Sequence, residues 1–264
     1  MKMGFIGGGN MASAMVKGIL DQQLLDREHL IVSDQSEECC QRLREKFGIE
    51  ATQDNLKVVD EARCIVLAVK PQYYQEVIRQ IRDDISVSHL IVTIAPGKTL
   101  QWLEDCFVKD VKLIRTMPNT PAQVGAGMTG ICANDRVTRE ELRMVCRIFN
   151  SFGKSAVLPE STMDAVVAVS GSSPAYVFLF LEALADAAVA DGMSRKMAYE
   201  FAAQAVYGSA KMMLETGLHP GELKDMVCSP GGTTIEAVRV LEEKGFRSSI
   251  MEAARACAKK ARQM

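Results

Sequence analysis

The sequence predicts an α/β protein in two parts: a doubly wound parallel sheet of Rossmann-like type over residues 1–158 and an all-α domain over residues 159–264. Three observations carry this. Short β-branched runs alternate with helical patterns through the first part, as in a parallel sheet covered on both faces. A glycine-rich turn joins the first strand to the first helix. Beyond Pro159 the strand-like runs stop and only helical periodicity remains.

The predicted strands are Lys2–Ile6, Leu30–Ser33, Cys64–Val69, Leu90–Ile94, Val111–Thr116, Met128–Ala133 and Ser155–Leu158. Helical patterns lie between many of them, among them Met11–Leu20, Glu37–Phe47, Tyr73–Ile81 and Thr138–Phe149. The unbroken apolar run Ile65–Val69 suits a central strand buried on both faces. In the second part, Ser173-Pro174 reads as a helix start, with Ser as N-cap and Pro in the first turn. That helix is expected to reach about Asp191 and stop at Gly192; the next spans Arg195–Thr216 and stops at Gly217. Shorter helices follow at Pro220–Met226, Thr234–Lys244 and Ser248–Gln263. The helix from Pro174 is apolar around most of its circumference (Tyr176, Val177, Phe178, Leu179, Phe180, Leu181), which points to burial against a second subunit rather than to a monomer core.

Composition narrows the function. A net charge of −2 gives no electrostatic footprint for nucleic acid or an anionic membrane. The apolar run Ala175–Leu181 is far shorter than the roughly 20 residues a span requires, so no transmembrane helix is expected. The eight cysteines contain no C-x-x-C, so no metal site is expected, and the chain is too long and too apolar to need a disulfide framework. With no secretory pattern at the N-terminus, they read as reduced thiols in a cytoplasmic protein.

The turn itself is Gly7-Gly8-Gly9-Asn10-Met11-Ala12, a G-x-G-x-x-A directly after Ile6. Gly7 permits the tight turn, Gly9 lets a pyrophosphate approach the backbone, and Ala12 lets the helix pack close to the strand. The free N–H groups at the helix start favour phosphate. The second strand ends at Ser33-Asp34. An acid there bonds a ribose 2′-hydroxyl and repels a 2′-phosphate, which tilts the reading toward NADH. Ser33, Gln35, Ser36 and Asn55 are nevertheless donors able to accommodate NADPH, and Asp34 also reads as a helix N-cap before Glu37. Lys70-Pro71 and Asn119-Thr120-Pro121 follow predicted strands at their C-terminal ends, where ligands bind in doubly wound sheets. Ser229-Pro230-Gly231-Gly232-Thr233-Thr234 is a glycine-rich loop opening a helix, an anion site suited to a carboxylate. Thr233-x-x-Glu236 equally fits a capping box.

Six segments, taken together and in order, carry a specific resemblance: GFIGGGNM (Gly4–Met11), AVKPQ (Ala68–Gln72), MPNTPAQVGAGMT (Met117–Thr129), SGSSPAY (Ser170–Tyr176), HPGELKDMVCSPGGTTIEAV (His219–Val238) and GFRSS (Gly245–Ser249). The sequence resembles the bacterial pyrroline-5-carboxylate reductase family. The resemblance implies an N-terminal Rossmann-like domain and a C-terminal all-α dimerisation domain, a homodimer that commonly assembles into decamers, and NADPH- or NADH-dependent reduction of a cyclic imine to L-proline. It carries cofactor contacts to Ile6, Gly7, Gly8, Gly9, Asn10, Met11, Asp34, Asn55, Ala68, Val69, Lys70, Pro71 and Asn119, and substrate contacts to Gly231, Gly232, Thr233 and Thr234. The Thr234 hydroxyl is expected to bond the ring nitrogen and is the catalytic candidate. Glu160 aligns with an acid near the substrate, and reads equally as a surface acid at the domain boundary.

No histidine, cysteine or acid in these motifs has the look of an indispensable general acid. An imine protonated by solvent and bound as iminium needs mainly orientation and a dry pocket. Two other functions fit the residues less well. A β-hydroxyacid dehydrogenase needs a lysine on its long helix, and residues 171–194 hold neither lysine nor arginine. A non-catalytic nucleotide sensor has no use for the SPGGTT loop.

Overall fold

The computed structural model describes residues 2–263. The chain divides into two compact units, Met1–Ser172 with Cys257–Met264, and Ser173–Ala256. Residues 159–172, expected with the helical part, therefore belong to the first unit.

The first unit runs β1 (Met3–Ile6), α1 (Asn10–Asp21), β2 (Leu30–Ser33), α2 (Glu37–Phe47), β3 (Glu50–Thr52), α3 (Asn55–Glu61), β4 (Cys64–Leu67), α4 (Tyr74–Ile81), β5 (Leu90–Thr93), α5 (Leu100–Phe107), β6 (Lys112–Met117), β7 (Gly127–Ala133), α6 (Arg139–Asn150), β8 (Gly153–Val157) and the short helix α7 (Met163–Val166). Among the described residues the strands form one sheet in the order β3-β2-β1-β4-β5-β6-β7-β8. All neighbours are parallel except β6 and β7. That pair departs from the expected parallel order because only a 3₁₀ segment, Thr120–Val124, joins the two strands. A parallel return needs a longer crossover, usually a helix. The three-residue β3 was not foreseen; Glu50-Ala51-Thr52 carries no apolar run to announce it.

Alternation along the strands builds two cores, one on each face. Phe5, Val32 and Val66 point into the layer with Met15, Val16 and Leu43 of α1 and α2. Ile6, Ile31, Ile65 and Leu67 point into the layer with Val58, Ile78 and Leu103 of α3, α4 and α5. β1, β2, β4 and β5 are buried at every position, the signature of a sheet covered on both sides.

α7 is followed directly by a π-turn, Val167–Gly171, which ends at Ser172, and α8 spans Ser173–Ala190. The expected helix start at Ser173-Pro174 is found: α8 begins at Ser173, with Pro174 in its first turn. Physics also explains the π-turn before Pro174. Proline has no N–H, and its ring crowds the carbonyl four residues earlier. The turn widens at that point, with Ser172 N–H bonded to Val167 O at 2.8 Å. The carbonyl that Pro174 leaves free is Ser170 O, and it accepts from Asn119 Nδ2 at 3.0 Å.

The second unit adds α9 (Arg195–Thr216), α10 (Pro220–Val227), α11 (Thr233–Glu243) and most of α12 (Phe246–Ala261) to α8. Among the described residues of this unit only Ala185, Ala198 and Ala202 are fully buried. Large apolar side chains stay open instead: Phe178 is 61% exposed, Leu179 68%, Phe201 59% and Leu214 70%. An alanine-only interior buries too little to hold helices together, so these faces await a partner. The continuous run Glu160–Ala190 is also long and apolar enough, by length and composition, to cross a membrane. The expectation of no such helix rested on Ala175–Leu181 alone and did not anticipate helical continuity through the π-turn.

The sheet's far edge yields a test. A Cβ on Gly153 would stand 2.1 Å from Gly127 O, a backbone atom of the neighbouring strand that has no room to retreat. Gly153→Ala is expected to part β7 from β8 and cost about 2 kcal/mol or more. Urea unfolding reads this directly; an unchanged midpoint would mean that the strands do not approach so closely.

Candidate functional site

The site begins at the end of β1. Gly7 sits at φ +105°, and a Cβ there would meet the Ala68 carbonyl carbon at 2.7 Å and Val69 N at 2.9 Å. The turn thus demands glycine on two counts, backbone angle and contact with the loop after β4. Gly7 N–H bonds Ser33 O at 2.7 Å, and Ala68 N–H bonds Ile6 O at 2.8 Å. These bonds gather the C-terminal ends of β1, β2 and β4 at the point where strand order reverses, the usual crevice for a ligand. Next, Gly9 is the N-cap of α1 and supplies no side-chain cap, while a Cβ at Gly9 would meet nothing within 4 Å. The first amides of α1 therefore face open space, with Asn10 exposed and Ala12 packed inside. Open backbone and a positive helix end fit a pyrophosphate.

Asp34 lies just past β2. Its Oδ2 accepts from Gly8 N–H at 2.8 Å and its Oδ1 from Ser36 N–H at 2.9 Å. It is not the N-cap of α2; Ser36 is, with Oγ accepting from Cys39 N–H at 3.2 Å. Asn55 is reached from β2 by Ser33 Oγ at 2.6 Å. Ala68 and Val69 are half-buried, and Lys70, exposed, precedes a 3₁₀ turn opened by Pro71. Ile6 to Met11, Asp34, Asn55 and Ala68 to Pro71 thus converge on one edge of the sheet.

Asn119 is different. It follows β6 on the same edge, but its carboxamide is engaged at both ends, donating to Ser170 O and accepting from Met128 N–H at 2.9 Å. Its side chain is a joint between β7 and the π-turn. Glu160 is likewise engaged: Oε1 accepts from Arg115 Nη1 at 2.9 Å and from Leu100 N–H at 2.7 Å. Arg115 has a side chain only 4% exposed, against 32% for Glu160. The carboxylate neutralises a buried guanidinium and holds the first turn of α5.

One group at this edge escaped the sequence reading. Tyr74 is completely buried, donates to Leu67 O and accepts from Thr93 Oγ1 at 2.9 Å. Thr116 Oγ1 donates in turn to Thr93 O at 2.8 Å. The chain of hydroxyls ties the ends of β4, β5 and β6 together. Burial pushes the Tyr74 phenol up to about 12, so it remains a donor throughout the working range. In sequence, a tyrosine on the apolar face of a helix reads as core, and nothing marks the hydroxyl as a strand clasp.

The proposed carboxylate loop lies in the second unit. α11 starts at Thr233 with Gly232 as N-cap and no side-chain cap. The expected Thr233–Glu236 capping box is absent, because Glu236 is drawn to Arg239, with Oε1 2.8 Å from Nη2. That leaves the first amides of α11 uncapped, the arrangement an anion requires. Gly231 and Thr233 are exposed and Gly232 and Thr234 half-buried. All eight cysteines are free. At the opposite end of the sheet, a surface cavity of about 620 Å³ is lined by Leu20, Asp26, Arg27 and Glu50. Beside it, Asp26, Glu28 and His29 bring ligand atoms within 4.8 Å of one another, a grouping common on surfaces without an ion.

Comparisons with known proteins accord with both halves. Residues 160–264 match the family described as pyrroline-5-carboxylate reductase dimerisation. Residues 2–97 match NADP oxidoreductase, coenzyme F420-dependent. The chain is 50% identical to pyrroline-5-carboxylate reductase of Escherichia coli, over 100% of this chain and 98% of that one. Among solved structures it is similar to a pyrroline-5-carboxylate reductase of Coxiella burnetii, at 35% identity and TM-score 0.93, covering 99% of this chain and 97% of that one. It is also similar to the Plasmodium falciparum enzyme solved with NADP bound, at 33% identity and TM-score 0.91, covering 100% and 97%.

The Glu160 geometry separates two roles. Glu160→Ala is expected to strand the buried Arg115 charge and lower stability by about 2 kcal/mol, below the figure for a fully buried pair because Glu160 is a third exposed. Chemical denaturation beside steady-state kinetics decides this. An unchanged midpoint with a raised KM for the substrate would instead make Glu160 a substrate ligand.

Proposed function

The chain belongs to the pyrroline-5-carboxylate reductase family, and on that premise we infer that it reduces L-1-pyrroline-5-carboxylate to L-proline with NADPH or NADH, the last step of proline biosynthesis. The observation that carries the reading is a pair of uncapped helix starts, each behind a glycine-rich loop: α1 after Gly7–Gly9 and α11 after Gly231–Gly232.

The dinucleotide's pyrophosphate lies on the α1 amides, with Asp34 toward the ribose and Ala68–Pro71 along the nicotinamide half. When bound, the cofactor supplies the hydride. The chain's own residues orient and exclude water. The amides of Gly232, Thr233 and Thr234 hold the substrate carboxylate, and the Thr234 hydroxyl holds the ring nitrogen. The balance is simple: the imine carbon takes the hydride pair, the C=N π bond opens, and the nitrogen ends with one proton from solvent. No side chain of the motifs is needed as general acid.

A homodimer supports this function. The apolar faces of α8 and α9 lie within residues 160–264, the segment that matches the dimerisation family. A second copy covers them rather than lipid, and further assembly reaches a decamer. The eight free thiols suit the cytoplasm, and the net charge of −2 offers nucleic acid nothing.

Three measurements follow. Thr234→Ala is expected to lower kcat/KM by about tenfold or more, the worth of one well-placed hydrogen bond, with NAD(P)H affinity intact; unchanged turnover would remove Thr234 from the chemistry. The acid limb of the pH–rate profile is expected to move with the pKa of the imine supplied, whereas a limb fixed across substrates would reveal a protein acid. Sedimentation in detergent-free buffer is expected to give a dimer or larger; a species soluble only in detergent would return the long helix to a membrane.

A further inference from the structure

We propose that Asp34 makes this chain select NADH over NADPH, because its carboxylate already occupies the donors that a 2′-phosphate would require. The proposal rests on the dinucleotide reading of the Gly7–Gly9 turn.

The carboxylate is clamped from two sides. Oδ2 accepts from Gly8 N–H at 2.8 Å, within the phosphate turn, and Oδ1 accepts from Ser36 N–H at 2.9 Å, within the turn after β2. One bond on each oxygen, from two different loops, fixes both its position and its plane. A clamped acid is not free to swing aside for a larger ligand. The start of α2, where amides would otherwise welcome an anion, is closed from within the chain: Ser36 Oγ caps Cys39 N–H at 3.2 Å, and Ser36 N–H is held by Asp34 itself.

Ser33 and Asn55, two further donors nearby, are engaged within the chain, which leaves the uncharged Gln35 side chain. Ser33 is buried and its Oγ donates to Asn55 Oδ1 at 2.6 Å, while Asn55 Nδ2 donates to Gln80 Oε1 at 2.8 Å. The turn Asp34-Gln35-Ser36 contains no arginine or lysine. Arg42, on α2, places Nη2 3.4 Å from Gly8 O and 3.1 Å from Cys39 Sγ, so its guanidinium faces the phosphate turn.

The consequence is a difference between two ligands that share everything else. A ribose 2′-hydroxyl donates to a fixed carboxylate and gains a charge-assisted bond. A 2′-phosphate brings nearly two negative charges against the same carboxylate and finds the adjacent amides already taken.

The test is equilibrium binding of NADH and of NADPH, each followed by nucleotide fluorescence on the full chain. The proteins are wild type, Asp34→Asn, Asp34→Ser and Arg42→Ala, with circular dichroism recording the fold of each. Wild type is expected to bind NADH about tenfold tighter or more, a difference of about 1.4 kcal/mol. Either Asp34 variant is expected to gain affinity for NADPH by a similar factor, so that the ratio flattens or inverts. Equal or tighter NADPH binding by wild type would overturn the proposal. So would an unchanged ratio in both folded Asp34 variants. A selective loss of NADPH binding in Arg42→Ala, from a wild type that favours NADPH, would move selection to the guanidinium. Failure of wild type to bind either nucleotide would remove the dinucleotide reading and the proposal with it, whereas binding without imine reduction would leave selection standing and count against the reductase reading alone.

Discussion

Gly7 and Ala68 approach so closely that no side chain fits between them, and the cofactor end of the sheet is built around that contact. The positive φ at Gly7 turns the backbone out of β1, and the Ala68 backbone blocks any Cβ. Because the turn is this tight, α1 begins just above the sheet edge with its amides uncapped. Because it lies against the β4 loop, β1, β2 and β4 end level with one another, and Asp34 comes within reach of Gly8. The clasp from Tyr74 through Thr93 to Thr116 extends the same edge to β5 and β6. The geometry of this edge thus descends from one backbone approach, not from separate devices.

The second unit follows the opposite logic. Its helices are long and regular, yet their buried residues are alanines and their large apolar side chains face out. Regular helices without a core are stable only in company. The proposed carboxylate loop before α11 sits in this unit. Within the first unit, Asn119 ties Ser170 O to β7.

Much of this was legible in the sequence. The strands β1, β2, β4 and β5 are apolar throughout, and the fingerprint after Ile6 left little choice of fold. Where the reading departed, the reasons are physical. Pro174 reads as a helix start and does stand in the first turn of α8, but only tertiary context reveals the π-turn ahead of it. Thr233 and Glu236 have capping-box spacing, but Arg239, three residues on, competes for the carboxylate. Asp34 and Ser36 are both good caps, and sequence offers no way to tell which closes α2 and which is turned toward Gly8. The carbonyl and guanidinium partners of Asn119 and Glu160 lie 51 and 45 residues away, beyond any local pattern.

The alanine interior of the second unit has one more consequence. When a fold's apolar surface is completed by another copy of itself, mass action enters its stability: the folded fraction depends on how much chain is present. Dilution then acts as a denaturant, and a cell that lowers expression shortens the life of each molecule as well as reducing their number.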